Sequence, residues 1–149
     1  MEVVVERLLR ANGRDLEIHR VAAAANEALA DGKDTMIFTS RNFAAGDADE
    51  PLKIGSIISD SLVAIVRRID KRPAWMIAKG GITSSDVAVK GLGVKRAEVI
   101  GQAFPGVPIW LTGDNSRWPG LLYAVFPGNV GDTCTLADMI ETLRNGRRV

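Results

Sequence analysis

Apolar positions recur with a helical period in the first half of the chain and gather into short runs in the second. After Asp15, the residues Leu16, Ile18, Val21, Ala22, Ala25, Ala28 and Leu29 return at three- and four-residue steps, which predicts a helix closed by Asp31-Gly32. From Pro51, a natural first helical position, Ile54, Ile58, Leu62, Ile65 and Ile69 predict a long amphipathic helix stopping at Asp70-Lys71-Arg72-Pro73. Between them Met36-Ile37-Phe38 reads as a buried strand that delivers Thr39-Ser40-Arg41 to a loop from Asn42 to Glu50. The β-branched run Val3-Val4-Val5 suggests an edge strand ahead of the first helix.

The second half changes character at Ala74. Four of the 15 glycines precede it and eleven follow from Gly80, so short elements separated by tight turns are expected there. Ala74 to Ala78 predicts a buried strand, Lys79-Gly80-Gly81 a turn, and Thr83 to about Leu92 a helix. Ala97 to Ile100, Val107 to Leu111 and Leu121 to Phe126 predict three more strands. The turns between them are too short for crossover helices, so the pairing should be antiparallel. Thr135 to about Arg144 is a last helix, with Asn145-Gly146 as its cap and Arg147-Arg148 as a basic tail. The fold class that follows is α/β, one domain over residues 1–149. It would hold a mixed sheet with flanking helices, parallel in its first half and antiparallel in its second.

Composition narrows the function. A chain of 149 residues, 46% hydrophobic and 25% charged, is a folded domain rather than a disordered tail. Nineteen Lys and Arg against 18 Asp and Glu leave a net charge of +1, too little for a protein that grips a nucleic-acid backbone. The single cysteine, Cys134, and single histidine, His19, exclude a disulfide within the chain and argue against a His/Cys zinc site. No apolar run approaches the ~20 residues of a membrane span, and Met1-Glu2-Val3 does not open like a signal peptide, so a cytoplasmic protein without membrane partners is expected.

Candidate chemistry sits at two junctions. In Lys79-Gly80-Gly81-Ile82-Thr83-Ser84-Ser85-Asp86, paired glycines and three hydroxyls lie where a strand meets a helix. Free backbone amides and the positive end of the helix dipole favour an anion there, and glycine lets the backbone approach it. The same residues also read as an ordinary capping box, Thr83-x-x-Asp86. Phe126-Pro127-Gly128-Asn129-Val130-Gly131-Asp132-Thr133 repeats the arrangement, again with a capping alternative in Thr135-x-x-Asp138. Neither the G-x-x-x-x-G-K-[ST] loop nor G-x-G-x-x-G is present. If the strands ending near Phe38, Ala78 and Phe126 share an orientation, Ser40, Gly80-Gly81 and Gly128 would meet at one crevice. Gln102 to Pro108 would then be a loop walling a flat ligand, or a plain connection. Trp110 and Trp118 read as core or interface residues.

Taken together with Thr39-Ser40-Arg41 and Gly101-Gln102, these segments resemble the C-terminal nucleotide-binding domain of the four-carbon acid sugar kinase family over nearly the whole chain. The Gly-Gly-Ile-Thr-Ser-Ser-Asp form is similar to the subgroup labelled Hrp-dependent type III effector. The resemblance implies ATP, with Mg2+, as cofactor and transfer of its γ-phosphoryl group to a small sugar acid such as a threonate or erythronate. It places ATP on Gly80, Gly81, Ile82, Thr83 and Gly128, with Asn129 alongside. Ser40, Ser84 and Asp86 join that set from the geometry of the turns.

Two departures qualify it. The family's Asp-Asp-x-Thr-Gly substrate domain has no counterpart, since the chain contains no Asp-Asp pair, and Ile82 stands where characterised members tend to carry an acidic residue. The chain is therefore expected to be the ATP-binding part of a two-domain kinase, inactive alone, with the catalytic base elsewhere. A homodimer formed through the face left by the missing domain is compatible with this, and the other reading is a non-catalytic interaction module or effector-like fragment.

Overall fold

The computed structural model describes residues 1–10, 12–41 and 50–145, which divide into two compact units, Met1–Arg72 and Pro73–Val149. Most of the expected loop from Asn42 to Glu50 and the tail from Gly146 lie outside the described residues.

The first unit is a parallel strand pair carrying helices. Strand β1 (Glu2–Val3) pairs in parallel with β2 (Phe38–Thr39), Glu2 opposite Phe38 and Val3 opposite Thr39. Helix α1 (Val5–Leu8) follows β1 directly, so the β-branched run does not continue as a strand: Val5 is already helical and fully buried. Helix α2 (Arg14–Ala30) and α3 (Glu50–Arg67) pack on each other, and Val3, Leu8, Ile18, Val21, Ala22 and Ile65 form the core. Asn26 on α2 fastens the end of α3, its amide bonding the Arg68 carbonyl at 2.8 Å and accepting from the Asp70 amide at 2.8 Å. Two expectations need correction. Leu16 is 72% exposed because it lies about 200° around the helix from Ile18. The strand at Met36-Ile37-Phe38 is shorter and later than expected and not buried, with Met36 54% and Phe38 49% exposed, since a two-stranded sheet cannot cover both its faces.

The second unit is a four-stranded mixed sheet in the order β3-β6-β5-β4. Strand β3 (Trp75–Lys79) runs parallel to β6 (Leu122–Phe126), while β5 (Val107–Thr112) is antiparallel to both β6 and β4 (Ala97–Phe104). The antiparallel pairing expected from the short turns is therefore observed. As an edge strand β3 is half-covered, with Ala78 its only buried residue. Helix α4 (Gly81–Asp86) continues into a π-wound turn, Val87–Gly91, and α5 (Thr135–Arg144) follows β6. Val107, Ile109, Ala124, Phe126 and Met139 make the core, with Leu136 and Leu143 of α5 packed against it.

Strand β4 outruns its expected end by four residues. The expected loop from Gln102 to Pro108 is mostly strand, Gln102 opposite Pro108 and Phe104 opposite Val107, leaving only Pro105-Gly106 as the turn. Gly106 has a φ of +82°, the conformation such a tight turn requires, and the Gln102 side chain accepts its amide at 3.2 Å.

Candidate functional site

The parallel pair β3 and β6 ends in register, with Lys79 opposite Phe126, so the two chains leave the sheet side by side. Gly80 donates its amide to the Phe126 carbonyl at 2.8 Å and turns with φ +103° and ψ 137°, a region nearly restricted to glycine. That turn starts α4 at Gly81. No side chain caps the helix, and its first internal bond runs from the Ser84 amide to the Gly80 carbonyl at 2.8 Å. The amides of Gly81, Ile82 and Thr83 precede that bond and so have no acceptor within the helix. Gly81 and Ile82 are exposed, Ile82 to 77%. A Cβ on Gly128 would lie 3.9 Å from the Gly80 Cα, which brings the exposed Gly128-Asn129 turn against the first.

A buried network holds the first turn in shape. The Ser84 hydroxyl lies within bonding distance of two carbonyls, Ala78 at 2.6 Å and Gly80 at 2.7 Å. Tyr123, fully buried on β6, donates its hydroxyl to the Ser84 carbonyl at 2.7 Å, and burial pushes that phenol's pKa up. The second turn is fixed differently. One oxygen of Asp132 accepts the Cys134 and Thr135 amides at 2.9 Å each and the Thr135 hydroxyl at 2.8 Å. The Thr135 hydroxyl, ahead of the two amides, holds the Asp132 carboxyl below the usual carboxylate range. Lys79 spans the two turns: its Nζ donates to the Pro127 carbonyl at 3.2 Å and stands 4.0 Å from the centre of the Phe126 ring.

The Pro105-Gly106 turn lies at the same end of the sheet, because a Cβ on Gly106 would be 3.8 Å from Val130 Cγ2. Gly80, Gly81, Ile82, Thr83, Gly128 and Asn129 are thus brought together, with Ser84 beneath them. Ser40 belongs to the first unit. There its hydroxyl accepts the Val5 amide at 2.9 Å, and it lines a shallow cleft of about 260 Å3 with Glu2, Phe38, Thr39 and Arg41.

Neither expected capping box forms: α4 starts two residues ahead of Thr83, and α5 starts at Thr135 as expected but with Thr135 inside the helix rather than at its cap. Gly80 and Cys134 occupy the capping positions, neither with a side-chain bond, while Asp86 pairs instead with Lys90 at 2.9 Å. Trp118 is buried and Trp110 stacks on Tyr123 with ring centres 6.0 Å apart, both structural placements. His19 is exposed on α2. Among the described residues no group of three or more His, Cys, Asp or Glu could hold a metal ion, and no helix is long and apolar enough to cross a membrane. Sequence reasoning missed Tyr123, whose signal is a lone phenol in an apolar strand, and Asp132, whose signal is an Asx residue three positions ahead of Thr135.

Comparison with known proteins gives three findings. A family model described as "Nucleotide-binding C-terminal domain" matches residues 1–136. No curated protein matches the chain. Solved structures share its fold: a domain of unknown function (DUF1537) from Bordetella bronchiseptica, a domain-swapped dimer with bound citrate, is 19% identical with a TM-score of 0.70, covering 97% of this chain and 34% of that one. A Haemophilus influenzae protein of the same DUF1537 family is 16% identical with a TM-score of 0.64, covering 95% and 34%. A Salmonella typhimurium LT2 protein provisionally named a tRNA synthase is 19% identical with a TM-score of 0.65, covering 93% and 33%. The chain spans about a third of the length of each.

Proposed function

The chain belongs to the nucleotide-binding C-terminal domain family, and from that premise we propose that the paired turns after β3 and β6 hold the phosphate chain of ATP. The observation that carries this reading is the cradle itself. A Cβ on Gly128 would stand 3.9 Å from the Gly80 Cα, so the two glycine turns lie close together beside an uncapped helix start whose amides point along the helix axis. Gly80, Gly81, Ile82 and Thr83 supply backbone donors, and Thr83 adds a hydroxyl. Gly128 and Asn129 close the opposite side. Ser84 acts from below: its buried hydroxyl fixes the Gly80 carbonyl and with it the direction of the donors. One oxygen of Asp132 is committed to three donors of its own chain, Asp86 pairs with Lys90, and the described residues hold no acidic cluster for a metal, so Mg2+ would arrive with the nucleotide, held by phosphate oxygens and water.

The wider activity follows from the resemblance in the motifs. ATP bound here would pass its γ-phosphoryl group to a hydroxyl of a small sugar acid of the tetronate type, presented by a second domain. Phosphoryl transfer needs positioning and charge neutralisation more than a protein nucleophile, so a half-site built of backbone amides suits it. The fold shared with DUF1537 proteins three times as long supports this division of labour, and the domain-swapped dimer among them makes self-association a reasonable assembly for this chain.

Calorimetric titration of Mg·ADP and Mg·ATP into the purified chain tests the reading, with Gly81→Val as the control. A Cβ at Gly81 meets nothing within 4 Å and its φ is not positive, so the variant should fold while its side chain occupies the phosphate approach. Saturable binding weakened about tenfold or more in the variant is expected. No binding up to millimolar nucleotide would contradict the reading and favour an interaction module.

A further inference from the structure

The turns that form the cradle contain two charged side chains. Within Lys79 to Thr83, Gln102 to Val107 and Phe126 to Thr133, these are Lys79 and Asp132. One oxygen of Asp132 already accepts the Cys134 and Thr135 amides and the Thr135 hydroxyl, and its negative charge would repel a phosphate rather than bind it. Lys79 is in a different condition. It is the last residue of β3, immediately before Gly80, and its side chain is exposed. Its ammonium touches a neutral carbonyl, that of Pro127, and the face of Phe126. Among the described residues no acidic partner is bonded to it. An ammonium carries three donors, and one carbonyl and one ring leave part of that capacity for a further acceptor.

The position also matters. The Phe126 ring is buried and the Pro127 carbonyl leads into Gly128, so the aliphatic stem of Lys79 crosses from the first glycine turn to the second. A cation held over an aromatic face is restricted in its rotamers before any ligand arrives, which lowers the ordering cost of binding. Backbone amides and a helix start provide only partial charges. An adenine nucleotide carries several full negative charges on its phosphates, and charge-assisted hydrogen bonds are the stronger kind.

We propose that Lys79 is the residue by which this cradle reads phosphate charge, with its ammonium moving from the Pro127 carbonyl onto the phosphate chain of the bound nucleotide. This rests on the nucleotide reading above and deepens it. The expected ligand class is a nucleoside di- or triphosphate rather than a nucleoside. Lys79 also serves as the strap between the two turns before the ligand binds.

The test compares the full chain with Lys79→Met and Lys79→Arg, titrating Mg·ADP by calorimetry at low and at moderate salt. Both substitutions fall on an exposed side chain, and circular dichroism establishes that each variant folds. Lys79→Met should bind ADP about tenfold more weakly and lose part of the salt dependence, while Lys79→Arg should stay within about threefold of the native chain. Unchanged affinity in Lys79→Met, with the native chain binding, overturns the assignment of Lys79 alone. Equal loss in both variants overturns it too, leaving only a role for the lysine's shape. Absence of ADP binding to the native chain removes the nucleotide reading and the lysine's role with it.

Discussion

Glu17 shows how one side chain can contradict a hydrophobic pattern and still obey the physics beneath it. On α2 it lies next to Leu16, yet the leucine faces outward and the Glu17 side chain is 1% exposed. Its carboxylate accepts the Val4 amide at 2.8 Å, Arg7 at 3.1 Å and Arg20 Nε at 2.9 Å, which ties the start of the chain to the helix. The Arg20 hydrogen bond outweighs burial and, with the Val4 amide and Arg7, lowers the Glu17 pKa to about 2. A carboxylate depressed in the folded state stabilises above its unfolded pKa, near 4.5, and that contribution disappears as pH falls toward 2. Allowing for solvent around the half-exposed arginines, roughly 1–2 kcal/mol should be lost over that window. Denaturant titrations from pH 6 downward, roughly in unit steps, should show this slope, and Glu17→Gln should flatten it. An equal slope in the variant would remove Glu17 as the source. The sequence offered no sign of the hub, because periodicity treats a buried, fully bonded carboxylate as a surface residue. The turn at Gly80 was easier to find, because a glycine at the junction of a strand and a helix allows the positive φ that the chain adopts there.

Elements were readable wherever a turn length or a long period decided them. Helices α2 and α3 follow from their three- and four-residue spacing, α5 from its Asn145-Gly146 stop, and the antiparallel pairs from turns that leave no room for a crossover. Gly101 misled the reading of β4. A glycine inside an apolar run signals a stop, but here the pairing register shifts between Val99 and Gly101 and the strand continues to Phe104. The start of α5 was legible at Thr135, but the residue that holds it was not. The sequence offers Thr-x-x-Asp boxes, whereas α5 is held by Asp132, which lies ahead of the box and bonds amides at the helix entrance. Asp132→Ala should therefore lower the melting temperature by a few degrees and fray α5, read as faster amide exchange over Thr135–Arg144. Thr135→Val should have a similar but smaller effect, since it removes one of the three donors to Asp132. A melting temperature unmoved by Asp132→Ala would show that packing of Met139 and Leu143 alone holds the helix.

At the scale of the molecule, the α/β class and the change of character near Ala74 were legible, and the sharing of strands between two sheets was not. Parallel pairing was expected in the first half and occurs there, but between β1 and β2 in one sheet, while β3 joins the four-stranded sheet of the second unit. Strand partners are set by contacts far apart in sequence, such as Trp75 with Leu122, and no local pattern encodes them. The same long-range pairing creates the candidate site, since Gly80 and Gly128 become neighbours only because β3 and β6 end in register. The most direct measurement is a titration of Mg·ADP into the isotopically labelled chain, followed amide by amide by NMR. The account predicts saturable shifts centred on Gly80 to Thr83 and on Gly128 and Asn129, with Tyr123 and Ser84 responding through the buried network. Binding whose shifts avoid both turns, or the absence of any shift at millimolar nucleotide, would contradict it.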